Sequence, residues 1–212
     1  MTPIYDVTPL LVAQVPQVPD PIAAQALLLA ARDLCRDTGC WRYEASDVDV
    51  AENEPLLTFY DLPSDSQIVS VAEVILDKVA LVKASLDQLS RRYSGGWATE
   101  AGTPLWFYLG TERNQIRLVP IPSTSGLLYA RLILEPTLLA SSLDTVLLDR
   151  HLDILMAGAL GRLLRYPDRS WTHFQLAAAY QAQFEQGKRV IRSQAADGFQ
   201  PGVPRSVTYG GI

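Results

Sequence analysis

The sequence predicts an α+β protein. A helical bundle, made of an N-terminal helix and a C-terminal helical hairpin, carries an inserted β-rich domain and ends in an extended C-terminal arm. Three observations predict this. An Ala- and Leu-rich stretch near the N-terminus has helical periodicity, the middle of the chain alternates β-branched or aromatic runs with turn residues, and helical spacing returns after Pro136. The expected units are residues 1–40, 41–136, 137–197 and 198–212.

Pro3, Pro9, Pro16 and Pro19 stand between short apolar pairs, so residues 1–19 are expected to run extended, with no helix beginning there. Asp20-Pro21 supplies an N-cap and a proline at the first helical position for a helix over Ile22 to Thr38, and Gly39 supplies its stop. Leu27, Ala31, Leu34 and Cys35 share one face, while Arg32, Arg36 and Asp37 stay off it, which predicts one-sided packing.

Five or six strands are expected from Trp41 to Val50, Leu56 to Tyr60, Ile68 to Leu76, Leu105 to Leu109, Gln115 to Val119 and Leu127 to Leu134. Asp77-Lys78 and Gly110 to Asn114 are read as hairpin turns, and prolines at 55, 63, 104, 120, 122 and 136 as strand ends. A short helix is expected from Ser85 to Tyr93 with Leu86 and Leu89 inward.

Asp144 can cap a helix that ends before Pro167, with Leu148, Leu152, Leu155, Ala159 and Leu163 on its buried stripe. Gly158 and Gly161, beside Ala157 and Ala159, would admit a close helix crossing within the bundle or between subunits; an exposed helix glycine is the alternative. Ser170 is read as the cap of a last helix through about Ala196. Its stripe is Trp171, Phe174, Ala177, Tyr180, Phe184, Gly187 and Ile191, and it should return antiparallel to the helix before it.

With 212 residues, 48% hydrophobic and 19% charged, the chain can bury a proper core. No apolar run reaches the ~18 residues of a membrane span, and no signal peptide is read, so a soluble cytosolic protein is expected. Two cysteines cannot make a disulfide framework. The net charge of −5 argues against a domain that grips nucleic-acid phosphates. Residues 1–149 hold 10 basic and 19 acidic side chains, whereas 150–212 hold 8 and 4. Asp37, Glu44, Asp47, Asp49, Glu52, Glu54 and Asp61 cluster, either as a solvated rim or as an acidic surface of an oligomer.

No phosphate loop, dinucleotide fingerprint, zinc-protease, serine-hydrolase or Cys-x-x-Cys motif occurs. His151 lies between Asp149 and Asp153, but residues two apart on a helix point about 200° apart, so neither acid naturally faces it. His173 has no acid three or four residues on. Cys35 and Cys40 are expected as reduced core thiols, and no catalytic, cofactor or metal residue is assigned.

The chain resembles the head-to-tail connector adaptors of tailed bacteriophages. The resemblance is carried, in order, by Ala30 to Thr38 ending at Trp41-Arg42, by Gly102-Thr103-Pro104-Leu105-Trp106-Phe107-Tyr108 and by Val119-Pro120-Ile121-Pro122. It continues through Leu134-Glu135-Pro136, Gly158 to Leu163 and Pro167 to Trp171. It covers about residues 10 to 195. It implies a non-enzymatic virion protein of the neck, assembled in the host cytoplasm, forming a ring of usually twelve copies between the portal protein and the next tail or nozzle protein. DNA would pass through the ring without sequence-specific binding, and an acidic balance suits passage without grip. The C-terminal arm would dock on the portal, through Phe199, Val203, Arg205, Val207, Tyr209 and Ile212, whose spacing among Pro and Gly suits an extended segment. The competing readings are a non-catalytic binding or assembly module and, third, a hydrolase.

Overall fold

The computed structural model describes residues 1–93 and 96–196 and shows a mixed α+β chain. In chain order the elements are β1 (Thr2–Pro3), α1 (Ile4–Gln14), α2 (Asp20–Thr38), β2 (Arg42–Val50), β3 (Leu56–Thr58), β4 (Ser66–Leu76), β5 (Val79–Ala80) and β6 (Val82–Lys83). Then come α3 (Leu86–Arg92), β7 (Ala101–Gly102), β8 (Trp106–Leu109), β9 (Gln115–Val119), β10 (Ile121–Pro122), β11 (Gly126–Pro136), β12 (Ser142–Leu143), α4 (Thr145–Leu163) and α5 (Phe174–Ala196).

The proline-rich start is not extended. α1 forms despite Pro9, which cannot donate the i→i−4 bond, because Ile4, Val7, Thr8 and Leu11 recur at helical spacing and are buried together. α2 begins at the residue expected as its cap: Pro19 is the N-cap and Asp20 the first helical residue, so Asp20 serves the dipole rather than the cap. Its end is set by Gly39, whose left-handed φ of 63° places its N–H on the Cys35 carbonyl at 2.9 Å.

β11 is the spine of an antiparallel sheet of order β2-β11-β4-β5, and the second four-stranded sheet has order β3-β9-β8-β6 with β6 and β8 parallel. The six expected strands are β2, β3, β4, β8, β9 and β11; the other six are two-residue pairings too short to leave a periodic signal. Asp77 and Lys78 both take positive φ, as a two-residue hairpin between β4 and β5 requires. α3 carries a capping box on Ser85 and Gln88 and buries Leu89, but Leu86 is exposed, because a helix this short presents one inward position to the sheet.

α4 is capped by Asp144, whose side chain accepts from Leu147 N–H at 3.0 Å. α5 starts later than the Ser170 cap would place it. Residues 169–172 form a turn, and His173 takes the capping position, its Nδ1 accepting from Leu176 N–H at 3.2 Å. Trp171 therefore lies outside the helix and Phe174, on the first turn, is exposed; the buried stripe is Ala177, Phe184, Lys188, Ile191 and Ala195. α4 and α5 run antiparallel, since Ile154, Gly158 and Gly161 approach Gly187, Phe184 and Gln181 respectively. One continuous core joins α1, α2, α4 and α5 to both four-stranded sheets. Ala84, Leu89 and Val119 form a small second cluster under Trp97, Trp106 and Tyr108.

Candidate interaction surfaces

The helices and the sheet are locked by a buried charge cluster. Glu135, on β11, is 2% exposed and accepts from Arg32 Nη2 at 2.6 Å, Arg36 Nη2 at 3.0 Å and Gln67 Nε2 at 2.6 Å. Burial pushes the carboxyl up, but the hydrogen bonds from Arg36, Arg32 and Gln67 outweigh it and hold Glu135 below the usual carboxylate range. One carboxylate thus joins α2, β11 and β4. A second link ties α2 to α5: the nearly buried Lys188 ammonium lies 2.7 Å from Asp37 and 2.8 Å from Glu185, above the Phe184 ring. Asp37 is therefore paired within the helices and not part of a free acidic rim, and Glu44 faces Arg131 at 3.3 Å.

The rest of the acidic cluster is partly gathered by the fold. Glu44, Asp47, Asp49 and Asp61 line a groove of about 460 Å³ between the outermost strand β2 and the segment after β3, where Tyr43 OH donates to the Asp61 carbonyl at 2.7 Å. A register shift in the β2–β11 pairing accompanies the left-handed Asp47, and both the bulge and the charges blunt this edge strand.

His151 is buried at a kink in α4 (φ −133°, ψ 19°) and lines a hollow of about 240 Å³ with Trp41, Arg42, Asp144 and Arg150. Asp149 and Asp153, its sequence neighbours, are exposed. Burial, reinforced by the Arg150 charge, holds the imidazole below its ordinary pKa. The folded state then binds fewer protons than the unfolded one as pH falls through about 6.5, so His151 costs stability in mild acid. His151→Gln is expected to flatten the stability difference between pH 7.5 and 5.5, measured by urea unfolding at both; an unchanged difference would assign the slope elsewhere.

Cys35 is buried and Cys40 half-buried, both free thiols; burial pushes the Cys35 thiol up, whereas a hydrogen bond with Cys35 leads the effects that draw Cys40 down. Among the described residues no group of three or more His, Cys, Asp or Glu is placed to hold a metal, and no helix is long and apolar enough to cross a membrane. At Gly158 an added Cβ would lie 2.8 Å from two Phe184 ring atoms and 3.0 Å from Ala30 Cβ; at Gly161 it would lie 3.2 Å from Gln181 N. Gly187, read from sequence only as part of a stripe, is equally tight against Ile154 at 2.9 Å. The arm residues Phe199, Val203, Arg205, Val207, Tyr209 and Ile212 lie outside the described residues.

Two further surfaces left no sequence signal. Leu138 and Leu139 stand 65% and 92% exposed on the turn after β11. That turn is pinned by Asp65: its carbonyl accepts from Thr137 N–H at 2.7 Å, and its Oδ2 accepts from Ser141 N and Oγ and Ser142 N and Oγ at 2.9 to 3.1 Å. Those four bonds outweigh the effect of burial and hold the Asp65 carboxyl low. An apolar groove of about 490 Å³ runs between α1, α4 and α5, lined by Leu10, Leu152, Met156, Leu160 and Tyr180 among others.

A family model described as SU10 adaptor protein matches residues 6–205. A search of curated proteins returned no match.

Proposed function

Because the chain belongs to the SU10 adaptor protein family, a phage head-to-tail adaptor family, and is accordingly a structural component of the virion, we propose that it forms a ring of twelve copies around the DNA channel between the portal protein and the next tail or nozzle protein. The observation that carries this reading is the match over residues 6–205, which spans helices and sheets alike. In it α1, α2, α4 and α5 act as one helical bundle and the strands between α2 and α4 as the inserted β domain that meets the tail. Residues 198–212 dock on the portal. No step of this role needs catalysis, a cofactor or a metal.

The internal architecture suits an adaptor that transmits force between its neighbours. Glu135 and Lys188 fix the helices to the sheet and to one another through partners up to 151 residues apart, so force applied to either part passes through buried contacts rather than a hinge. The acidic balance suits a channel wall that lets DNA slide, since it offers few phosphate contacts. Truncation after Asp197 tests the docking assignment. The shortened chain should keep the thermal stability of the full chain but bind purified portal rings at least ~100-fold more weakly, as loss of several apolar anchors predicts. Equal binding by the two chains would refute the arm assignment.

A further inference from the structure

We propose that Phe199 seats in the hollow beside His151 of its own subunit and anchors the root of the C-terminal arm there, so that contacts with the portal begin beyond it. The inference rests on the docking reading above and narrows it: Phe199 belongs to the subunit, and the residues from Val203 to Ile212 meet the portal.

The end of α5 leads to this hollow. Arg42 lines it, and the same guanidinium donates through Nη2 to the carbonyl of Ala195, one residue before α5 ends at Ala196. Phe199 follows three residues later, so its reach past Ala196 is about 10 Å of extended chain. It is the first large apolar residue after α5, and Pro201-Gly202 separate it from the next, Val203. A side chain on so short a tether meets the hollow at an effective concentration in the millimolar range, an advantage that a separate partner lacks.

The hollow has the chemistry of an aromatic site. Trp41 and Leu147, both buried, give it apolar walls with Val146, and the guanidiniums of Arg42 and Arg150 line it as well. A phenyl ring suits this set: its face attracts guanidinium groups, its edge packs on an indole, and it brings no polar atom that needs a partner. A volume of about 240 Å³ admits one such side chain rather than a strand or helix of another protein. Charge favours the same path. Asp197, the only acidic residue after Glu185, would pass two guanidiniums, whereas Asp144, the acid that lines the hollow, is engaged by the Leu147 N–H. Ordering residues 197–199 offsets much of what burial of one ring returns, so the anchor directs the arm without raising the thermal stability of the fold. An arm fixed at its root has fewer conformations to lose on meeting the portal, and its distal apolar residues bind more tightly for that reason.

The test uses the full chain and a thiol already in place, since Cys40 lines the hollow. Gln200→Cys puts a second thiol beside Phe199. A short bifunctional thiol reagent should join residues 40 and 200 within one chain, read by mass spectrometry of the linked peptides, and adding Phe199→Ala should slow the joining at least ~10-fold. The tether is the same in both variants, so the difference reports the ring. Equal rates overturn the seating and leave the docking reading standing. Portal rings added to Gln200→Cys should leave the joining unchanged; rings that abolish it would show that Phe199 leaves its subunit for the portal and overturn the proposal. Joining that depends on Phe199, together with portal binding that survives truncation after Asp197, would keep the seating and overturn the docking reading.

Discussion

Glu135→Gln is expected to destabilise the protein by about 3–5 kcal/mol, the cost of removing one member of a buried ion pair and leaving its partner uncompensated. The partner here is Arg32, itself 7% exposed, with Arg36 beside it. Glutamine keeps the size and can still accept one hydrogen bond, so the loss isolates the charge. For a chain of this length the melting temperature should fall by roughly 6–20 °C. The pH dependence has a definite sign. Glu135 is held below its unfolded range, so its contribution is complete above the unfolded carboxylate pKa of about 4.3 and is lost as pH falls through the lower folded value. The parent should therefore lose stability in that acid window, and the glutamine variant should lose less there. Chemical unfolding of both at pH 7 and at several values below 4.5 measures this. Identical slopes would show that the cluster does not control acid stability.

Gly158→Leu carries the second large effect. Even a single Cβ at this position enters the space of Phe184, which is buried, and of Ala30 on α2, so three helices must separate to admit it. Overpacking commonly costs about 1–3 kcal/mol, and a leucine that displaces a buried ring on one side and a backbone-close alanine on the other belongs at or above the upper end. Gly158→Ala is smaller because alanine regains about 1 kcal/mol of helix propensity while meeting the same ring. Gly161→Ala should be milder still, its nearest neighbour being 3.2 Å away. Thermal denaturation, read with assembly on portal rings, tests the packing: the loss should be largest for Gly158→Leu, smaller for Gly158→Ala and smallest for Gly161→Ala. A leucine variant as stable as the parent would mean that the crossing is loose.

Parts of this protein are written in local sequence. Gly39 stops α2 because only a residue without Cβ enters a left-handed turn cheaply, and Asp144 starts α4 because its short carboxylate reaches the third amide. Gln115–Val119 is a strand between turn residues and proline, with its borders legible from composition alone. The family, too, was legible, as an ordered series of weak signals from Ala30 to Trp171. Local rules failed where two of them competed. Pro9 argued against helix, yet the shared burial of Ile4, Val7, Thr8 and Leu11 prevailed, and His173 displaced Ser170 as the cap because the turn before α5 was fixed by contacts of Thr172 with Tyr166 and Arg169.

The surfaces and clamps were decided only by the tertiary structure. Glu135 meets Arg32 from 103 residues away, Lys188 meets Asp37 from 151, and Asp65 orders a turn 76 residues later, separations at which no spacing rule operates. Leu86 and Phe174 carry the same side chains as buried neighbours and lie outside because the elements they sit on turn that face to solvent. Leu138 and Leu139 read as two more apolar residues until the turn that raises them is seen. Sequence determines what each segment prefers, since propensity and capping act within a few residues; which apolar face is covered, and which charge is paired, is settled by contacts between segments that only folding brings together.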